Sequence, residues 1–192
     1  MHKRLPIMRL IFVLLLIMES ASDGFSKDLP DAPNGYTWNQ ADNIQAYFLI
    51  PEGWYYMEEQ KQDTKAVFIT KEKIEQGNDF RTGLSVNVIQ QSNKKTGLAP
   101  SKTAKNFIDN MQSLTERSEI EAYNHDSFSG FKGLFKSGNL SSEPIVLFCL
   151  AMGNDDTGTL YIILFESPQP EWEENWKIGS IILDNIALET GF

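Results

Sequence analysis

Ile145-Val146-Leu147-Phe148-Cys149-Leu150-Ala151-Met152 and Thr159-Leu160-Tyr161-Ile162-Ile163-Leu164-Phe165 are apolar at odd and even positions alike. Successive side chains of a strand face opposite sides, so a run without alternation asks for cover on both faces of its sheet. The connector Gly153-Asn154-Asp155-Asp156-Thr157-Gly158 carries the Gly, Asn and Asp that tight reversals use. The two runs are therefore predicted to pair as antiparallel neighbours in the middle of a sheet. Helices must then cover the two faces.

The flanking sequence supplies them. After the second run, Pro170 suits a first helical position, and Glu171, Glu173 and Glu174 set negative charge at the positive end of a helix dipole. Trp172, Trp176, Gly179, Leu183 and Ile186 follow as a stripe, widened by Ile178, Ile181 and Ile182. Upstream, Ala104, Phe107, Ile108, Met111 and Leu114 recur at spacings of three and four, predicting a helix over 102–116 with Ser101 as its N-cap. Strands are predicted at 44–50, ended by Pro51-Glu52-Gly53, then from Trp54, at 66–70, and at 82–90, where Leu84, Val86 and Val88 point in and Ser85 and Asn87 out. Two more fall at 119–125 and 131–137, with Ser127 to Gly130 as the turn between them.

The chain opens with His2, Lys3, Arg4 and Arg9 ahead of the apolar run Leu10 to Met18, the layout of a secretory signal. Counted from Ile7 the run is about a dozen residues, short of the roughly 20 that span hydrocarbon, so no transmembrane anchor is expected. Cleavage is expected between Ser20 and Ser26. With the sole cysteine at Cys149, neither lipid attachment after the signal nor an internal disulfide is available, and a buried, inert thiol is expected there. The expected organisation is a signal peptide over 1–22, an extended lead-in rich in Asp, Pro, Gly and Ser over 23–35, and a single domain over 36–192. An exported, periplasmic or extracellular protein follows. Formal charge moves from −9 to −11 on cleavage, because Lys3, Arg4 and Arg9 leave with Glu19. A surface so acidic repels phosphate backbones and anionic head groups, which disfavours nucleic acid as a partner.

No catalytic or metal-binding constellation stands out. His125 next to Asp126 could orient a general base, but Ser85 and Ser129 lack a nucleophile elbow and adjacent strand residues diverge. Asp155 and Asp156 offer oxygen ligands without the acidic alternation and distal glutamate of a calcium loop. The spacing of Glu58-Glu59 and of Glu171, Glu173 and Glu174 fixes no acid/base distance. Gly83, Gly130, Gly133 and Gly138 form no phosphate-binding pattern and suit turns and strand crossings. No metal and no cofactor is expected. Trp54, Tyr55 and Tyr56 are the candidate contact residues for a ligand or partner: consecutive aromatics in a strand cannot share one side.

Tyr47-Phe48-Leu49-Ile50-Pro51-Glu52-Gly53-Trp54 resembles the apolar strand followed by Pro-Glu-Gly-Trp in the PsbP-like family, which includes the extrinsic photosystem II subunit and bacterial envelope proteins of the DcrB kind. Leu160 to Leu164 as a strand, then Pro170-Glu171-Trp172 opening a terminal helix that runs out near Asn185-Ile186, is similar to that family's close. The likeness spans roughly residues 44–188. It implies an α+β fold, an α/β/α sandwich whose central, mainly antiparallel sheet has helices on both faces. It also implies a non-enzymatic role as a binding or assembly module, with an envelope protein or complex as partner. A eukaryotic relative of the fold binds the small GTPase Ran, which an exported chain would not meet. No functional residue carries over. Two other functions stay open: a carrier for a small apolar ligand or a cation, and, ranked last, a carboxylate-dependent hydrolase.

Overall fold

A computed structural model describes residues 29–75, 80–113, 119–137 and 144–188. The expected signal peptide, residues 23–28 of the lead-in, Leu114 and Gly138 lie outside the described residues. Among the described residues ten strands run in chain order: β1 Tyr36–Ala41, β2 Ala46–Pro51, β3 Tyr55–Lys61, β4 Thr64–Thr70, β5 Gly83–Ile89, β6 Glu119–His125, β7 Phe128–Ser137, β8 Ile145–Asn154, β9 Thr159–Pro168 and β10 Ala187–Leu188. Helices α1 (Ser92–Thr96) and α2 (Pro100–Ser113) lie between β5 and β6, and a 3₁₀ turn, Gln169–Glu171, leads into α3 (Trp172–Asp184).

The two apolar runs are β8 and β9. They pair antiparallel from Ile145↔Pro168 to Asn154↔Thr159 and sit inside a seven-stranded sheet of order β3-β4-β5-β9-β8-β7-β6. Every neighbouring pair in it is antiparallel. One row across one face reads Met57, Phe68, Ser85, Leu164, Cys149, Gly133. The row beside it on the other face reads Glu58, Val67, Val86, Ile163, Leu150, Lys132. The chain is thus an α+β sandwich, as the fold class read from sequence requires.

The cover on those faces is unequal. Beneath α2, Ala104 and Ile108 meet Phe135, Cys149, Ala151, Leu160 and Ile162, and Phe107 and Met111 pack at the rim. On the other face α3 brings Ile182, Trp172 and Trp176 against Phe165 and Phe148. It does not work alone: β1, β2 and β10 form a second, three-stranded sheet that adds Ala41, Ala46 and Phe48 to the same core. Seven strands at about 4.8 Å spacing are roughly 29 Å wide, whereas one helix with its side chains covers about 10–12 Å. A layer of one helix cannot close either face. The second sheet solves this on one side; on the α2 side Ala66 and Ser85 are buried, while Tyr55, Glu59 and Lys61 of β3 are exposed and Phe68 and Asn87 are partly so.

Several boundaries depart from the sequence reading. The first strand is β1, unread because Thr37, Asn39 and Gln40 break any apolar pattern; Ile44 belongs to the turn that follows it. The β6–β7 turn is only Asp126-Ser127, and Phe128 to Gly130 are already strand, with Gly130 present because the Ala151–Met152 backbone lies where its Cβ would be. Ser85, expected outward, is buried. Ser101 is not the N-cap of α2, which starts at Pro100. The cap comes from across the fold: Ser101 N and Oγ donate to Asp155 Oδ1 and Oδ2 at 2.8 and 2.7 Å. At the start of α3, buried Asn175 donates from Nδ2 to Ser167 Oγ (2.8 Å) and accepts from Lys71 Nζ (3.3 Å), tying helix, β9 and the end of β4 together.

Candidate functional site

Strand alternation divides the three aromatics of Trp54-Tyr55-Tyr56. Trp54 and Tyr56 turn towards the core shared with α3 and the small sheet. The Tyr56 hydroxyl donates to Glu58 Oε1 at 2.6 Å, and the Asn43 amide donates to Glu58 Oε2 at 3.1 Å. Burial first, and then the adjacent Glu58 carboxylate, push the Tyr56 phenol far above its usual range, so it stays a neutral donor. Glu58 thereby pins the β1–β2 turn onto the sheet. Tyr56 and Glu58 have a structural job.

Tyr55 points the other way and is 46 % exposed. Its face carries Met57, directly opposite Phe68, and Phe80 closes on Phe68 edge-to-face at 6.2 Å between centroids. Further along the same face, a groove of about 350 Å³ is lined by Glu59, Lys61, Gln62, Thr64, Ala66, Phe68 and Asn87. Ala66 and Phe68 form its apolar floor and the β3–β4 hairpin one wall. This is the half of the sheet that α2, seated on β7, β8 and β9, leaves open.

The remaining candidates do not assemble. Glu58 and Glu59 face opposite sides of the sheet, which separates them as an acid/base pair. His125 Nδ1 lies 3.3 Å from Asp126 Oδ2 at an exposed hairpin end, its ring stacked on Tyr123. Ser85 is buried in β5 between Phe68 and Leu164, and Ser129 pairs with Asn124 of the edge strand β6. Asp155 is engaged as the α2 cap. Glu171 accepts from Lys71 and Asn175, and those hydrogen bonds hold its carboxyl below the usual range. Burial pushes the Cys149 thiol up to about 12, so it is a poor nucleophile at any ordinary pH. Among the described residues no three His, Cys, Asp or Glu side chains come together as metal ligands would. No helix among them is long and apolar enough to cross a membrane.

With this geometry in hand, the chain can be set beside known proteins. Solved structures that superpose on it include the Ran-binding protein Mog1p of Saccharomyces cerevisiae, at 10 % identity and a TM-score of 0.50, over 80 % of this chain and 95 % of that one. The likeness is one of fold. Cyanobacterial PsbP from Synechocystis superposes over 86 % of this chain and 98 % of its own at 12 % identity and a TM-score of 0.48. LpqN, involved in cell envelope biogenesis of Mycobacterium tuberculosis, covers 84 % and 82 % at 9 % identity and a TM-score of 0.39. No family model and no curated protein matches the chain. The structural neighbours thus include PsbP, whose family the sequence resembles, and the Ran-binding member of the fold. They carry over no site residue.

Sequence reading singled out Tyr55 with two neighbours that face elsewhere, and it missed the groove. Lys61, Gln62 and Thr64 were not singled out at all. Asn87 stood at an outward position of an alternating strand, and that is the one signal from which the groove could have been found.

Proposed function

We propose that the mature chain is an exported, non-catalytic binding module of the cell envelope, and that a protein partner docks on the open half of the sheet with Tyr55 as its anchor. The carrying observation is the α2-side face of β3, where Tyr55 is exposed beside Met57, Phe68 and Phe80. Tyrosine is enriched among the residues that dominate interface energies, because it presents a large rigid surface with a polar tip. Mog1p, of the same fold, is a Ran-binding protein, so the fold serves protein recognition elsewhere. The dispersal of His125, Glu58, Glu59 and Cys149 supports a role without catalysis, and the charge of −9 supports a partner other than nucleic acid.

Site-specific photocrosslinking in the native envelope tests this. A crosslinking residue replacing Tyr55 should give one protein adduct, whereas the same residue replacing Tyr123, on the opposite edge strand, should leave the chain unmodified. Absence of an adduct at position 55, or equal adducts at both, overturns the proposal. Mass spectrometry of the same material should show a chain beginning between residues 20 and 26. An intact N-terminus would remove export.

A further inference from the structure

The groove at the β3–β4 hairpin holds polar groups that the fold does not use. Asn87 projects from the middle of β5 between Ala66 and Ile162, partly buried. Among the described residues its amide makes no side-chain hydrogen bond, and neither do Gln62 and Thr64. Glu59 and Lys61 lie two residues apart on one face of β3, about 7 Å along the strand, and neither forms an ion pair. The Asn87 amide is not among the solvent-excluded polar atoms, so it remains open to the groove, where a ligand can reach it.

Gln62 borders the same groove from the hairpin turn. With Asp63 it forms a two-residue hairpin loop closed by Lys61↔Thr64, and its φ is 55°. Asn or Gly adopts that left-handed conformation more cheaply, and two-residue hairpins normally use them. A longer side chain with the same amide stands there instead and lines the groove.

Two unpaired charges of opposite sign, two amides and an apolar floor describe a complementary molecule. We propose that this groove binds a small zwitterion bearing an apolar group, a free α-amino acid or a short peptide. Its carboxylate meets Lys61, its ammonium Glu59, its polar atoms the amides of Gln62 and Asn87, and its apolar side chain rests on Phe68 and Ala66. The volume of about 350 Å³ lies at the small end of ligand pockets, which run from roughly 300 to 1,000 Å³, and it suits a ligand of this size. The groove shares Phe68 with the Tyr55 docking face, but its charged and amide groups are its own, so the two can fail separately.

The test is an amide chemical-shift titration of the mature protein with L-phenylalanine, L-leucine and the dipeptide of each. Binding with Kd near ~1 mM or tighter, with shifts confined to residues 59–68 and 87, is the expected result. Lys61→Glu, at an exposed position, should weaken it at least about tenfold with unchanged thermal stability, as should capping both ends of the amino acid as N-acetyl amide. Asn87→Leu should weaken it too, whereas Tyr55→Ser should leave it unaltered. No shifts with any of the four probes, shifts elsewhere on the surface, or equal binding of the capped compound each overturn the proposal. The photocrosslink at position 55 is unaffected by any of these outcomes.

Discussion

Gly179 shows how tightly one residue can be specified. It lies in the middle of α3, where glycine is about 1 kcal/mol worse than alanine for helix formation. An added Cβ, however, would sit 2.6 Å from the Phe165 ring, and that ring is held by Trp172 and Trp176, which stack on each other at 5.0 Å. Overpacking a well-filled core costs about 1–3 kcal/mol, which outweighs the gain in helix propensity. Gly179→Ala should therefore lower the urea midpoint by the equivalent of up to about 2 kcal/mol with an unchanged m-value. A stabilised variant would show that α3 can move off the sheet. Cys149 gives a second residue-level outcome. Its folded pKa is raised from an ordinary 9.0 to about 12 by burial, so between those values the unfolded chain has lost the proton that the folded chain keeps. Unfolding free energy should then fall as pH rises through that window, and be insensitive to this group below it. The decline should be shallower in Cys149→Ala, and thiol reagents should label Cys149 only on unfolding. The phenols of Tyr161, buried, and of Tyr36 and Tyr56, partly buried, are also raised by burial and add to the loss nearer pH 10 and above, so the comparison belongs at its lower end.

At the scale of elements, what was legible in the sequence depended on whether an element's partners were encoded in its own pattern. β8 and β9 were, because burial on both faces leaves no alternation to misread. Leu84, Val86 and Val88 marked β5 for the complementary reason. β1 was not, since its stability comes from pairing Tyr36 to Ala41 along β2 rather than from apolar content. The groove was invisible too: Lys61 and Asn87 are brought together only once β4 has paired with both their strands. The start of α2 belongs to the same class. Its capping group is Asp155, in the β8–β9 turn, and Gly153 has no Cβ because the backbone of Pro100 and Ser101 occupies that space. Asp155 thus joins the hairpin to the helix that lies on it. Asp155→Ala should destabilise the protein by about 1 kcal/mol, the usual loss for an N-terminal capping oxygen, and Asp155→Asn, which keeps one acceptor, by less. Equal losses in urea unfolding would mean the carboxylate acts through charge on the helix dipole instead.

Across the whole molecule the two cores share the middle strands of the large sheet, β9 among them. Tyr161, Ile163 and Phe165 of β9 belong to the core under α3, and Leu160 and Ile162 to the core under α2. β9 is hydrogen-bonded on both edges, to β5 and β8, so exposing its amides requires both cores to open. β3 is the opposite case: among the described residues one of its edges has no partner strand, and four of its seven residues, including Tyr55, are exposed. Protection from exchange follows the smallest opening that frees an amide, and edges with few buried apolar contacts open locally. Hydrogen exchange should therefore be slowest in β8 and β9, where it tracks global unfolding, and fastest among the strands of the large sheet in β3 and β6. Denaturant should accelerate β9 with the full equilibrium slope and leave β3 nearly unchanged, because a local opening exposes little surface. Equal protection and equal slopes in β3 and β9 would mean that the open half of the sheet is covered after all. The docking face at Tyr55 and the hairpin groove would then lose the uncovered surface on which both depend.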